Sequence, residues 1–347
     1  MQTESLGWRS KSLMRKIWDA RQLEHAPALE LHNGAFVPHA EHPGRAESIL
    51  AAIGETEPAH DHGEAPILRV HRQDYVDFLK RAHADWKAAG RTGDAAGYTW
   101  PVVRRRPLDL ERIDARLGQY SYDAGTPIAE GTWTGAYWSA QTALTALDIV
   151  LAGERSAFAF CRPPGHHAGA DYLGGYCYLN NAAIAAQAAI DGGAGRIAIL
   201  DIDYHHGNGT QDIFYDREDV LFVSIHADPK TDYPFYWGHA DEAGEGPGEG
   251  ANLNIPLARG TARPKFQAAL DTAMDRIRQF SPDLLVLSFG ADTFSGDPIS
   301  HFRLETEDYP ALARSIASAA WPTLVVMEGG YAVDDLGVNV AAFLGGF

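Results

Sequence analysis

The chain has 347 residues, of which 45% are hydrophobic and 22% charged, and its formal net charge is −17. This composition is typical of a globular protein with a sizeable core and excludes a largely disordered chain. The 46 acidic against 29 basic residues argue against nucleic acid as a general partner, because phosphate binding requires clustered Lys and Arg. The charge would attract a cationic substrate, although an acidic surface that serves only solubility explains it equally well.

The sequence carries no signal for a membrane or for secretion. No apolar run approaches the roughly 20 residues that a membrane-spanning helix needs, and the basic N-terminus lacks the apolar region of a secretory signal. The two cysteines, Cys161 and Cys177, are too few for a disulfide framework and indicate buried thiols in a reducing compartment. We therefore expect a cytoplasmic protein. We expect residues 1–13 to be either a flexible extension or the product of a misassigned start codon. Residues 14–347 are expected to form a single domain.

The predicted elements begin with the strand-like stretch "MRKIWDA" at Met14 and become regular from about Arg155 onward. A helix that starts near Thr132 and ends at Gly153 precedes the regular part. Short apolar runs then alternate with longer helical patterns, and these runs are "SAFAF", "RIAIL", "DVLFVSIH", "DLLVLSFG" and "TLVVM". The alternation predicts parallel strands joined by crossover helices, and therefore an α/β domain with a mostly parallel central sheet.

Two segments interrupt this alternation. Residues 90–131 and 239–250 are rich in Gly, Pro and charged side chains, and we expect both to be long loops. Neither is a linker, because no separate set of strands and helices follows it. Long loops in a compact domain usually build sites or interfaces.

The stretch "ILDIDYHHGNGTQD" collects carboxylates and imidazoles directly after an apolar strand. Side chains at alternate strand positions face the same way, so Asp201, Asp203 and His205 project together from its carboxyl end. Ligands bind beyond the carboxyl ends of strands in open α/β sheets. Two carboxylates and an imidazole at such a place destabilise one another unless a cation or strong hydrogen bonds compensate. The cluster therefore predicts a metal site rather than a solvated turn.

A second strand, "LLVLSFGAD", delivers Asp292 to its own carboxyl end. Together with Asp203 and His205, Asp292 would form a triad of nitrogen and oxygen ligands with open coordination positions, as expected for catalytic Zn²⁺. Fe²⁺ or Co²⁺ would accept the same ligands, so these residues leave the identity of the ion open.

Two further strand ends add groups that suit hydrolysis. The stretch "FCRPPGHHAG" supplies His166 and His167, and "VVMEGGY" supplies Tyr331 after two glycines. Beside a metal-activated water, the histidines would serve as general base and as general acid or electrostatic partner. A tyrosine hydroxyl and a metal ion would together stabilise an oxyanion. Taken singly, each position is more simply a surface histidine or a packed aromatic.

These motifs, with "GGYCYLNNAA" at 174–183 and "GADTFSGDPIS" at 290–300, resemble the zinc-dependent arginase/deacetylase family that contains the histone deacetylases. Within this family, the opening "MRKIWDARQ" and the closing "VVMEGGYAVDDLGVNVAAFL" look most like bacterial acetylpolyamine amidohydrolases. The resemblance covers about residues 14–345. It implies a single-domain, three-layer α/β/α arginase/deacetylase fold and the removal of acetyl groups from amines by metal-activated water.

The resemblance also implies a role for individual positions. The implied zinc ligands are Asp203, His205 and Asp292, and the implied catalytic groups are His166, His167 and Tyr331. Asp201 and Asn208 would orient the two histidines, and the neutral Asn208 would leave its imidazole less basic. A structural K⁺ is implied at Asp201, Asp203, His205, Ser224 and Ile225. A substrate site is implied at Asp114, Gly175, Tyr176 and Tyr233.

Substrate choice stays open from the sequence. The first hypothesis is an N-acetylpolyamine deacetylase, and the second is a class II-like acetyl-lysine deacetylase that acts on proteins with the same chemistry. The third is a non-catalytic ligand-binding protein, which the intact catalytic positions disfavour. An arginase-like ureohydrolase would need a further carboxylate where "DIDYHHGNG" has a histidine.

Residues 90–131 are the implied element for both dimer formation and substrate selection. The polyamine enzymes hold the distal ammonium with loop acids; Asp114 falls at one such position, and the next falls on Gly125, for which Asp123 or Glu130 would substitute. The mixture of aromatic and charged side chains suits a subunit contact. We therefore expect a homodimer in which this segment reaches the partner's cleft, with a solvated loop on a monomer as the alternative.

Overall fold

The computed structural model describes residues 14–101 and 108–347. The expected flexible extension at residues 1–13 lies outside the described residues, as do positions 102–107. No helix in the described part of the chain is long and apolar enough to cross a membrane.

A seven-stranded sheet forms the centre of the domain, and every pairing in it is parallel. The strands in chain order are β1 (Arg15–Ile17), β2 (Leu29–His32), β3 (Ala35–Pro38), β4 (Ser156–Ala159), β5 (Ile197–Asp201), β6 (Val220–Ala227), β7 (Asn252–Leu257), β8 (Leu284–Phe289) and β9 (Thr323–Met327). The order in the sheet is β1-β4-β9-β8-β5-β6-β7, while β2 and β3 form a separate antiparallel pair. The predicted α/β class and parallel sheet are confirmed.

Helices fill the connections between these strands. They are α1 (Gly44–Ile53), α2 (Ala65–Leu68), α3 (Gln73–Ala88), α4 (Ile113–Tyr120), α5 (Thr132–Leu151), α6 (Asn181–Asp191), α7 (Asn208–Phe214), α8 (Arg263–Phe280), α9 (Tyr309–Ala317) and α10 (Val333–Leu344). Short 3₁₀ helices lie at Ala20–Glu24, Gly246–Gly248 and Thr306–Asp308.

The sheet is buried on both faces because successive strand residues point into two different hydrophobic clusters. In β5, Ile197 and Ile199 belong to one cluster, while Ala198 and Leu200 belong to the other. Helices α5, α6 and α7 cover the first face, and α1, α8, α9 and α10 cover the second. These are the three layers that the resemblance implies. A third cluster packs α2, α3 and α4 against α5 and α6.

The segment 90–131 differs from the expected irregular loop, because part of it is the helix α4. Ile113, Leu117 and Tyr120 recur at helical spacing, and all three are buried in the third cluster. The apolar face of α4 thus ties the middle of the segment to the core. The other expected loop, 239–250, contains only the short turn Gly246–Gly248, as predicted.

The hairpin of β2 and β3 was not predicted from the sequence. Its two-residue turn is Asn33-Gly34, and both residues have positive φ, 49° and 83°. Such a turn matches the twist of the strands that it joins, and Asn-Gly is its preferred sequence. The hairpin brings Glu30 to the edge of the sheet discussed below.

Four adjacent strands deliver the predicted site residues to one edge of the sheet. The neighbours β4, β9, β8 and β5 lead at their carboxyl ends to His166, Tyr331, Asp292 and Asp203 respectively. Because the strands are parallel and adjacent, residues far apart in sequence meet there.

Candidate active site

Asp203, His205 and Asp292 form a compact group of potential metal ligands. One ligand atom from each residue lies within 4.8 Å of the others. The Nδ1 atom of His205 is 3.5 Å from an Asp203 oxygen and 3.0 Å from an Asp292 oxygen. Backbone N–H groups hold the carboxylates in place: Tyr204 donates to Asp292 at 2.9 Å and Gly329 donates to Asp203 at 2.8 Å.

Electrostatics favours a cation at this group. Burial and the neighbouring Asp203 carboxylate raise the pKa of Asp292 to about 8, so that the two acids resist being ionised together. A divalent ion bound between them would remove this penalty, and two carboxylates with one imidazole match the donor set of catalytic Zn²⁺ or of Fe²⁺. The residues present therefore fit the predicted metal.

Two glycines allow the backbone to pass close to the carboxylates. A Cβ atom on Gly290 would lie 1.9 Å from an Asp203 oxygen, and one on Gly329 would lie 2.7 Å from oxygens of Asp203 and Asp292. Any side chain at these positions would displace the carboxylates, which explains Gly290 in "FGAD" and Gly329 in "EGGY" in physical terms.

The tandem histidines have different partners. His166 Nδ1 lies 2.9 Å from an Asp201 oxygen, and His167 Nδ1 lies 2.6 Å from the Asn208 side-chain oxygen. Burial opposes charge on His166, but the carboxylates of Asp201 and Asp203 outweigh it and raise its pKa to about 10. Burial and the neighbouring His166 hold the pKa of His167 well below its usual range. His166 is thus suited to carry a positive charge and His167 to accept a proton.

Tyr331 completes the set at the end of β9. Its backbone N–H donates to an Asp297 carboxylate oxygen at 2.7 Å. Its ring stands edge-on to Tyr176, with centroids 5.6 Å apart, and the Arg45 guanidinium lies 5.0 Å from the ring centroid. Burial raises the pKa of Tyr331 well above its usual value, so the hydroxyl stays protonated and able to donate.

A cavity of about 460 Å³ connects these groups to the surface. His167, His205 and Tyr331 line it, and so do the predicted substrate contacts Gly175, Tyr176 and Tyr233. A small, slender substrate would therefore pass between aromatic rings to reach the metal ligands.

Two further acids of this cavity have partners that sequence reasoning did not identify. An Asp123 oxygen accepts from the Tyr233 hydroxyl at 2.8 Å and from the Gly175 N–H at 2.7 Å. A Glu30 oxygen accepts from the Tyr176 hydroxyl at 3.0 Å. The Asn33-Gly34 hairpin signal was the available hint for Glu30, whereas Asp123 was considered only as a substitute for Gly125.

Asp114 lies apart from this cavity within the described chain. It is 5% exposed, and its carboxylate accepts from Arg91 at 2.8 Å and from Arg112 at 2.7 Å. A substrate contact by Asp114 stays a prediction that requires a second subunit.

The predicted K⁺ residues do lie near one another. Asp201 is the direct partner of Ser224 between β5 and β6, and both are fully buried. Asp203 and His205 follow at the end of β5, and Ile225 follows Ser224. K⁺ itself stays a prediction.

The parallel sheet and the groups at this edge are those expected of a metal-dependent hydrolase. The family of the histone deacetylase domain matches residues 39–347, and the chain belongs to that family.

Comparison with known proteins gives a narrower set of relatives. The chain is 52% identical over 331 residues to acetylpolyamine amidohydrolase 1 of Pseudomonas aeruginosa, which covers 93% of this chain and 95% of that protein. It is 50% identical over 334 residues to acetylpolyamine amidohydrolase 2 of the same organism, covering 95% and 97%. A solved structure of acetylpolyamine aminohydrolase from Burkholderia pseudomallei superposes with a TM-score of 0.92 at 41% identity, covering 96% of this chain and 98% of that one.

Proposed function

We propose that this protein removes acetyl groups from N-acetylated polyamines by hydrolysis. The observation that carries the proposal is the meeting of Asp203, His205 and Asp292 with the tandem histidines and Tyr331 around one narrow cavity. The similarity over nearly the whole chain to proteins named acetylpolyamine amidohydrolases supports the substrate class. The activity is expected in the cytoplasm.

The mechanism assigns one task to each group. A divalent ion, when bound at Asp203, His205 and Asp292, supplies a Lewis acid that polarises the amide carbonyl and acidifies water. His167, neutral beside Asn208, accepts the proton of the attacking water. His166, kept cationic by Asp201, contributes positive charge. The Tyr331 hydroxyl donates to the carbonyl oxygen as negative charge develops there, and protonated His167 then donates to the leaving amine.

Charge in the cavity favours a cationic substrate. Among the described lining residues, Glu30, Asp123 and Asp232 are acids, and Arg259 opposes them. Arg259 is already paired with Asp232 at 2.9 Å, so the remaining balance is negative. An acetylated diamine or spermidine would thus be stabilised at its distal ammonium.

The second candidate, an acetyl-lysine protein deacetylase, uses the same chemistry with a wider entrance. The predicted homodimer bears on this choice, because a partner at the mouth would exclude bulky substrates. Tyr98 and Leu108, in the described parts of segment 90–131, are 66% and 43% exposed, and such a contact would cover them. We further propose that Asp201 and Ser224, with their neighbours, hold the structural K⁺.

Metal removal tests the proposed chemistry. The purified protein should contain about one equivalent of Zn²⁺ per chain, and acetate release should stop on chelation and return with Zn²⁺, as for an open three-ligand site. Asp292→Ala should lose both metal and activity. Full activity after verified metal removal would contradict the mechanism.

A further inference from the structure

Glu328 takes no part in the mechanism above, although it is fully buried behind the turn that carries the tandem histidines. It directly follows β9 and precedes Tyr331 by three residues. The strand β9 lies between β4, which leads to the tandem histidines, and β8, which leads to Asp292. The side chain of Glu328 therefore follows the middle one of three adjacent strands that lead to proposed site residues.

The carboxylate of Glu328 reaches both neighbouring strands. One oxygen accepts from the backbone N–H of Gly165 at 2.7 Å and from that of His166 at 3.1 Å. The other oxygen accepts from the Ser288 hydroxyl on β8 at 3.0 Å. Gly165 and His166 form the turn that carries both histidines, so Glu328 satisfies two buried N–H groups of this turn.

The backbone of Glu328 is fixed as firmly as its side chain. Its N–H donates to Phe289 at 2.8 Å, and its carbonyl accepts from Arg45 at 2.7 Å. Because both its backbone and its carboxylate are held by hydrogen bonds, the Glu328 side chain fixes the distance between β9, which leads to Tyr331, and the turn that carries the histidines.

Two other roles fit the contacts less well. Ligand atoms of His166, Cys177 and Glu328 lie within 4.8 Å of one another, a spacing that a metal ion could use. Both Glu328 oxygens already accept hydrogen bonds, however, and His166 Nδ1 faces Asp201. A direct catalytic role is also disfavoured, because Glu328 is not among the described residues that line the cavity.

We propose that Glu328 is a positioning residue that sets the distance of the tandem-histidine turn from Tyr331 and Asp292 through its hydrogen bonds to Gly165 and His166. This inference rests on the proposed function, since it concerns the geometry of the same reaction. A displacement of about 1 Å in such a constellation costs about 10²-fold in rate.

Two conservative variants separate the reach of the side chain from its charge. Glu328→Gln keeps the length and an oxygen that accepts from both N–H groups, but cannot ionise. Glu328→Asp keeps the carboxyl group but is shorter by one methylene, so its oxygens no longer reach the turn. The proposal requires Gln to be the better substitute. Thr323→Val is the matched control, because it removes a buried hydroxyl at the opposite end of β9.

The experiment measures kcat and KM on an acetylated polyamine together with the Zn²⁺ content. Glu328→Gln should stay within about 5-fold of the native kcat, while Glu328→Asp should lose about 10²-fold in kcat at nearly unchanged KM and full Zn²⁺ content. Thr323→Val should match the native enzyme. Equal or higher kcat for Asp than for Gln, or a loss of activity that follows a loss of Zn²⁺, would overturn the proposal.

A readout without turnover keeps the inference separate from the proposed function. Amide hydrogen exchange of residues 163–168, followed by mass spectrometry, should be faster in Glu328→Asp and nearly native in Glu328→Gln. If the native protein is inactive but the variants show this exchange pattern, Glu328 holds the histidine turn as proposed and the proposed function is wrong. Equal exchange in the native protein and in both variants would contradict the proposal that Glu328 positions this turn.

Discussion

His166 and His167 are adjacent in the chain, but their pKa values shift in opposite directions because their neighbours differ. The rings of His166 and His167 are 4.1 Å apart, yet the carboxylate of Asp201 raises the pKa of one while burial and its charged neighbour lower that of the other. Burial alone would keep both histidines neutral. The carboxylate at position 201 and the amide at position 208 therefore favour a cationic His166 and a neutral His167.

The proposed role of Tyr331 in oxyanion stabilisation gives the first prediction at this scale. Tyr331→Phe removes one hydrogen-bond donor and leaves the metal ligands untouched, so kcat should fall by about 10²–10³. Metal analysis of the same sample should show the native Zn²⁺ content. A matching loss of Zn²⁺ would instead assign Tyr331 a structural role.

Glu30 gives a prediction about pH and stability. Burial raises the pKa of Glu30 above its usual value, although hydrogen bonds from Ala40 and Tyr176 oppose the shift. The folded protein therefore binds this proton more tightly than the unfolded chain, so ionised Glu30 destabilises the fold above its folded pKa and costs nothing below its ordinary pKa. Glu30→Gln should raise the melting temperature at pH 7, and this gain should vanish near pH 4. A lower melting temperature of the variant at pH 7 would contradict the assignment.

At the scale of elements, the site is built by four adjacent strand ends, and helices far from it hold them. Helix α4 contributes no catalytic group, but its buried face joins α3 and α5 beside the cavity. The segment that precedes Asp123 is thus anchored by a core helix rather than being free in solvent. A deletion across residues 95–125 would remove this helix, so point substitutions are the better probes.

Leu117 tests the contribution of α4 to stability. It is 2% exposed in the third cluster, and Leu117→Ala should lower the free energy of unfolding by about 2–4 kcal/mol through lost burial and a residual cavity. Leu151→Ala is the control, because that leucine is 52% exposed and should change the free energy of unfolding by less than about 0.5 kcal/mol. Equal effects of the two substitutions in denaturant titrations would show that α4 is not packed as described.

The sequence predicts elements well where the signal is local. An apolar run followed by "DIDYH" or "GAD" indicates both a strand and the polar group at its end. The sheet and the group of Asp203, His205 and Asp292 were therefore predictable from the sequence. Glu328 carried no local signal, because its partner His166 lies 162 positions away. Asp114 was predicted to contact the distal ammonium of a substrate. In the structure its carboxylate is paired with Arg91 and Arg112, and the pairing with Arg91, 23 positions away, depends on the fold.

At the scale of the whole molecule, the net charge of −17 and the acidic cavity act in the same direction. A negative field concentrates cations at the entrance and speeds their binding, more so at low ionic strength. Selection against bulky substrates, by contrast, depends on the shape of the entrance and hence on the predicted homodimer.

The homodimer is tested by light scattering at micromolar concentration. The native protein should have twice the mass of one chain, and the double substitution Tyr98→Asp with Leu108→Asp should shift it toward monomer, because two charges would be buried in the contact. The same variant should cleave acetyl-lysine peptides faster relative to acetylpolyamines. A monomeric native protein would contradict the predicted contact.

The ratio of kcat/KM for an acetylated diamine or acetylspermidine to that for an acetyl-lysine peptide tests the central claim most directly. Acetate release at fixed ionic strength, by the Zn²⁺-loaded native protein with Asp292→Ala as the blank, gives both values. We predict that the polyamine substrates are preferred by at least about 10-fold, because the acidic cavity stabilises their distal ammonium in the transition state. Equal or faster cleavage of the acetyl-lysine peptide would contradict the account and assign the protein to the protein deacetylases.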